Sequence, residues 1–263
     1  MAEKLWFLSL TQPDPTRPLF IFLPGMDGTA LSMHQQLAGL QSTFDLRYLS
    51  IPVNDRTPWS GFIDQVVAHV KFERHRYPDR PLYLCGESFG GCLALQVVAK
   101  IPTLFSGLVV INAGSALKQL FWHTWMPMVV DQMSVPVYHM AADILLPLLV
   151  DAGRVTVKNR EGLLAAIKAI APTTAAWRLA LLRDAEIEGR SLQSFTAPTL
   201  LIASGQDQLL PSVTEAQRLT TYFPQAQLIT LAASSHACLL EQDVSLGAIL
   251  NQTPGFTHLD GLA

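Results

Sequence analysis

Charge is scarce in this chain. Of its 263 residues only 15% are Asp, Glu, Lys or Arg, the formal net charge is −3, and no basic run occurs anywhere. Proteins that hold nucleic acid neutralise phosphates with clustered Lys and Arg, so nothing here fits a nucleic-acid partner. Cysteine is scarce as well. Cys85, Cys92 and Cys238 are odd in number and unevenly spaced, which excludes a disulfide framework; they read as small buried hydrophobes of a reducing, cytoplasmic compartment. No uninterrupted run of about 18 apolar residues is present, so no membrane-spanning helix is expected. The N-terminus "MAEKLWFLSL" has no basic segment before a long apolar stretch, so no signal peptide is expected. Histidines and carboxylates do not cluster at ligand spacing, and neither a metal nor another cofactor is expected. Internal repeats and low-complexity segments are missing too.

Apolar residues, by contrast, make up 49% of the chain, and the mean hydropathy is +0.28. A chain of this length buries a large core, and the excess leaves apolar surface for another use. Short apolar runs alternate with amphipathic stretches. Strands are predicted at 5–10, 19–23, 46–51, 81–85 and 107–113, with helices at 29–42, 59–77 and 91–100 between them. That alternation implies a mostly parallel sheet with helices on both faces. It lapses after Gly114 and resumes with strands at 198–205 and 226–232, a helix at 213–222 and a final helix at 239–250; the tail 251–263 reads as loosely held. The expected architecture is one α/β core, 1–114 with 196–263, carrying a helical cap at 115–195 inserted between two late strands.

"GESFG" at 86–90 matches G-x-S-x-G, a weak pattern by itself. Its context strengthens it, because an apolar strand precedes it and a helix follows it. A strand-to-helix turn that tight strains its central residue and lifts the Ser88 side chain out of the sheet edge. Glycine is needed at 86 and 90, where a side chain would meet backbone. A serine hydroxyl is a poor nucleophile at neutral pH unless a base takes its proton and an acid orients the base. On this topology both follow later strands. Asp207 in "ASGQDQLLP" and His236 in "AASSHACLL" occupy those places, while the other six histidines lie before the nucleophile, in the insertion or in the tail. The developing oxyanion needs backbone donors. The N–H of Phe89, just after the serine, is one; the N–H of Met26, in the loop "PGMDG", is the other. Asp27 is awkward beside an oxyanion and is expected to turn away, toward Arg56 or a nearby backbone group.

The elbow, the acid, the histidine and the insertion together resemble the α/β-hydrolase superfamily over about residues 19–250. Where many members have His-Gly at the oxyanion loop, this chain has Pro24-Gly25. The stretches "LPGMDGT" (23–29), "IPVNDRTPW" (51–59), "GESFGGCLAL" (86–95), "LVVINAGS" (108–115) and "SGQDQLLPS" (204–212) are similar to esterase/lipase/thioesterase-like proteins of cyanobacteria and plastids related to phytyl ester synthases. The plastid members carry a further acyltransferase-like region after the hydrolase-like part. This sequence ends without it, which favours hydrolysis over acyl transfer.

The first half of the insertion, 120–150, contains no Lys or Arg and holds four of the seven methionines and two of the five tryptophans. Pro127, Pro136 and Pro147 are expected to break it into short pieces. Trp122, Trp125, Met126, Met133 and Met140 are candidates to line an adaptable apolar substrate pocket, or to meet lipid as a peripheral membrane contact. The second half, 157–189, reads as an amphipathic helical pair serving as scaffold. The function expected is serine hydrolysis of an ester or thioester of an apolar acyl group. Two alternatives are transfer of that acyl group to a long-chain alcohol or glyceride, and a binding protein that keeps the triad with negligible turnover.

Overall fold

A computed structural model of the chain describes residues 6–256. Seven strands form one sheet in the order β1-β3-β2-β4-β5-β6-β7: β1 (Trp6–Ser9), β2 (Leu19–Leu23), β3 (Asp45–Ser50), β4 (Leu82–Glu87), β5 (Gly107–Ile111), β6 (Thr199–Ser204) and β7 (Ala226–Leu231). All pairings are parallel except that of β1 with β3. Leu5 of the first expected strand lies outside the described residues.

The continuous apolar runs follow from burial on both faces. In β2, Leu19, Ile21 and Leu23 enter one core with α2 (Trp59–Arg76) and α3 (Phe89–Lys100), whereas Phe20 and Phe22 enter a second with α1 (Leu31–Leu40) and α10 (Leu246–Gln252). Helix α9 (Ser212–Thr220) covers the first face beside β6 and β7. Beyond Glu87, where β4 ends, the chain order reverses direction across the sheet between β2 and β4. Open α/β sheets bind ligands at such a switch point.

Between β5 and β6 the chain leaves the sheet. A 3-10 turn (Gly114–Gln119) leads to α4 (Met126–Asp131), α5 (Val135–Leu149), α6 (Val157–Ala169), α7 (Pro172–Asp184) and the short α8 (Gly189–Leu192). Two of the prolines start helices: Pro127 opens α4 and Pro136 opens α5, where the missing N–H has no partner to lose. Pro147 does not break the chain as expected. It lies inside α5, in the last turns before Leu149.

The end of the chain differs from the sequence reading. Instead of one helix over 239–250 there is a 3-10 turn (Cys238–Leu240) and then α10, capped by Ser245. Gln36 explains the break. Its buried amide donates to the carbonyls of Leu239 and Val244 and accepts from the N–H of Leu246, supplying partners that a continuous helix would have provided. Residues 251–256 are not loose, since Thr253 and Phe256 are buried; 257–263, with His258, lie outside the described residues. His69 stacks on Phe7 at 3.9 Å between ring centroids.

Candidate active site

Ser88 follows β4 directly and stands immediately before α3, with φ 53° and ψ −110°. That positive φ is unusual for a residue with a side chain, and it is held from several sides. The Ser88 N–H donates to Ile111 O at 2.9 Å, and Ser88 O accepts from Gly114 N at 2.8 Å, so the elbow is pinned to the end of β5. Glycine is required on either side. A Cβ on Gly86 would fall 2.2 Å from Gly90 O, and one on Gly90 would fall 2.0 Å from Leu23 O.

Asp207 and His236 occupy the loops after β6 and β7, and the parallel sheet brings both to the edge where Ser88 stands. His236 Nε2 lies 3.1 Å from Ser88 Oγ, and Nδ1 lies 2.7 Å from Asp207 Oδ2. Asp207 is further held by the N–H groups of Leu209 (2.9 Å) and Leu210 (3.0 Å) and by the hydroxyl of Ser212. Burial alone would push its carboxyl up. The hydrogen bonds and charge from His236, with those of Ser212 and Leu210, outweigh that and hold it below the ordinary aspartate value.

Sequence reasoning passed over Asn112, at the end of β5. This buried residue also has a positive φ, 45°. Its Nδ2 donates to His236 O (2.7 Å) and Ser204 Oγ (2.8 Å), while its Oδ1 accepts from Ser204 N (2.8 Å). One amide thus ties the histidine loop to the strand leading to Asp207. Only the left-handed backbone, which Asn tolerates better than most residues, could have flagged it, and that is invisible in a sequence.

Phe89 directly follows the nucleophile as the first residue of α3, and Met26 lines the same cavity as Ser88. A Cβ on Gly25 would come 3.9 Å from Ser88 Cβ, so the loop after β2 lies against the serine. Asp27 does not reach Arg56, which is exposed. Its Oδ2 instead accepts from the N–H and hydroxyl of Thr29, two residues on, closing a local turn. Glu87, the variable residue before the serine, is buried and accepts from Ser32 Oγ at 2.7 Å. Burial and repulsion from Asp27 lift its carboxyl to about 7, against the opposing pull of Ser32 and His236.

Ser88, His236, Met26, Asp27, Ser32 and Glu87 line one end of a cavity of about 370 Å³. The rest of the wall is apolar and comes from α4 to α7 above and from Leu31, Leu209 and Leu240 below. Trp122, Met126 and Met133 line it. Trp125 and Met140 do not: they are 46% and 58% exposed, Trp125 just before α4 and Met140 on the side of α5 that the helical period turns away from the lining residues. The second half of the insertion is more than scaffold. Leu163 and Ile167 of α6 and Ala175 and Leu179 of α7 are wall residues. No group of metal-ligating side chains occurs among the described residues.

A mostly parallel sheet with a serine elbow at its switch point, and later loops bringing an acid and a histidine to it, is the architecture of the α/β hydrolases, here a serine esterase/lipase-like hydrolase. Residues 55–243 match the family described as serine aminopeptidase, S33, and the chain belongs to that family. Phytyl ester synthase 1, chloroplastic, of Arabidopsis thaliana is 30% identical over 94% of this chain but only 39% of its own length, so the chain spans less than two fifths of that relative. Monoglyceride lipase of Mus musculus is 43% identical over a short segment, 19% of this chain and 17% of that protein. Among solved structures, a thermophilic esterase from Thermogutta terrifontis superposes with a TM-score of 0.68 at 16% identity, over 90% of this chain and 88% of that one.

Proposed function

We propose that the protein cleaves an ester or thioester of an apolar acyl group through an acyl-enzyme on Ser88. The observation that carries this is the hydrogen-bonded chain Ser88–His236–Asp207 at the polar end of an otherwise apolar cavity. His236 takes the hydroxyl proton as Ser88 Oγ attacks the carbonyl carbon. Asp207 holds Nδ1 in the N–H tautomer and stabilises the imidazolium. The N–H groups of Met26 and Phe89 receive the oxyanion. Collapse breaks the bond to the leaving group, which His236 protonates. Water, deprotonated by the same histidine, then attacks the acyl-enzyme and releases the acid. Residues 115–195 act as a cap whose inner side holds the acyl chain. Their outer side, with Phe121 (85% exposed), Met128 (69%) and Ile144 (68%), supports peripheral contact with lipid.

Substrate panels of p-nitrophenyl and CoA esters of graded acyl length test this directly. Ser88→Ala is expected to lose nearly all turnover while keeping its fold, and a fluorophosphonate should label the wild type once, at Ser88. Activity above a few per cent in the variant, or labelling elsewhere, overturns the nucleophile. The similarity to a phytyl ester synthase favours a second reading, in which a long-chain alcohol replaces water. Product analysis with phytol present separates the two: a wax-type ester supports transfer, and free acid alone supports hydrolysis.

A further inference from the structure

Arg178 is on α7, and none of its side chain reaches solvent. Burial holds its guanidinium below the ordinary arginine value, although Asp55 and Asp27 pull the other way. It forms no ion pair among the described residues. Instead Nη1 donates to the carbonyl of Met26 and Nη2 to that of Pro52, at 2.7 Å. A fully buried cation aimed at two loop carbonyls is a demanding arrangement, because desolvation is offset only by hydrogen bonds.

Attachment of α7 to the body does not need it. Trp59 Nε1 already donates to Leu181 O at 2.6 Å, Trp177 Nε1 donates to Thr57 O at 3.3 Å, and Leu181 and Leu182 pack in the main core. What Arg178 adds is a grip on Met26, the residue whose N–H is assigned above to the oxyanion. A carbonyl held by the planar guanidinium fixes the peptide plane that follows Met26, and so restrains the short loop that carries the Met26 N–H. Ala175 and Leu179, one turn before and one residue after Arg178, line the cavity. The acyl wall and the oxyanion loop are therefore set by the same helix.

We infer that Arg178 is a positioning residue for oxyanion stabilisation: from the cap it fixes the Met26 segment in the orientation that receives the tetrahedral oxygen. This rests on the acyl-enzyme reading given above. The role separates from simple structural support because it acts on the tetrahedral state and leaves ground-state binding of the acyl chain alone.

The test compares wild type with Arg178→Lys, which keeps a charge and a donor, and Arg178→Met. Each is assayed on a p-nitrophenyl ester and titrated with two probes sharing one alkyl chain. An alkyl trifluoromethyl ketone takes Ser88 Oγ at its carbonyl carbon, passes the proton to His236 and leaves an oxyanion. The matching alkyl alcohol fills the cavity without one. Loss of one oxyanion donor lowers kcat by about 10²–10³-fold in other hydrolases, so misplacement is expected to lower kcat by about 10- to 100-fold and weaken the ketone to a similar extent. KM and alcohol affinity should change less than about threefold, and Arg178→Lys should retain more kcat than Arg178→Met. Ketone and alcohol weakening together, or ketone affinity unchanged, overturns the inference; if Arg178→Met does not fold, Arg178→Lys decides it by the same two probes. A wild type that the ketone does not inhibit overturns the nucleophile assignment, and this inference with it.

Discussion

Glu87 offers a measurement that needs no substrate. Its buried carboxyl adjoins the nucleophile and ionises at about 7 rather than the ordinary 4.5, chiefly because burial penalises the charged form. Folding therefore favours the protonated acid. Sign follows from linkage: below pH 4.5 both folded and unfolded chains are protonated here and nothing is lost, whereas between 4.5 and 7 the unfolded chain gives up the proton and the folded one resists. The stability contributed by this group is full at low pH and falls as pH rises, levelling above 7. At about 1.4 kcal/mol per pH unit the loss is on the order of 3 kcal/mol. Glu87→Gln keeps an oxygen for Ser32 to donate to and stays neutral throughout. Urea unfolding of both proteins at pH 4.5, 6.0 and 7.5 isolates the term, since other titrating groups are common to both and largely cancel. Relief of Asp27, whose carboxyl is also raised by burial, acts in the same direction. The variant should gain about 3 kcal/mol on the wild type across that range. A difference that stays flat with pH would refute the reasoning, showing that the Glu87 carboxylate is solvated or paired.

Asp207→Asn should preserve the fold and lower kcat by roughly 10⁴-fold on a p-nitrophenyl ester, because the amide favours the wrong imidazole tautomer; a loss under tenfold would remove Asp207 from the role. Asn112→Ala strips three hydrogen bonds and leaves a side chain at positive φ, so urea unfolding should register a loss of about 2–4 kcal/mol. Ala142→Phe projects into the cavity from α5. If it displaces two methylenes of a long acyl chain, at about 0.8 kcal/mol each, kcat/KM for that chain should fall roughly 15-fold while short esters are spared. Equal effects on short and long esters would mean that the acyl chain lies elsewhere.

Much of this arrangement was legible in the chain itself. The strands are apolar on both faces, so runs such as "LFIFL" announced a covered parallel sheet, and parallel connections carry every loop of interest to one edge. That is why Ser88, Asp207 and His236 could be placed from order alone. The helical period was legible in the insertion too, but not its phase against the body. Trp122 and Trp125 look alike in sequence, yet one lines the cavity and the other faces outward. Gln36 breaking the last helix across more than 200 residues, Asn112 clasping the histidine loop, and Arg178 reaching from the cap to Met26 have no local signature.

The sequence by itself determined the sheet, the elbow and the order of the groups around it, because hydrophobic period, glycine placement and strand-to-helix spacing are local properties of the chain. The tertiary structure alone decided which cap residues face the cavity and which buried polar side chains hold the loops. Those choices depend on what each group meets once water is excluded, and a buried donor or charge takes whatever partner the fold brings within reach.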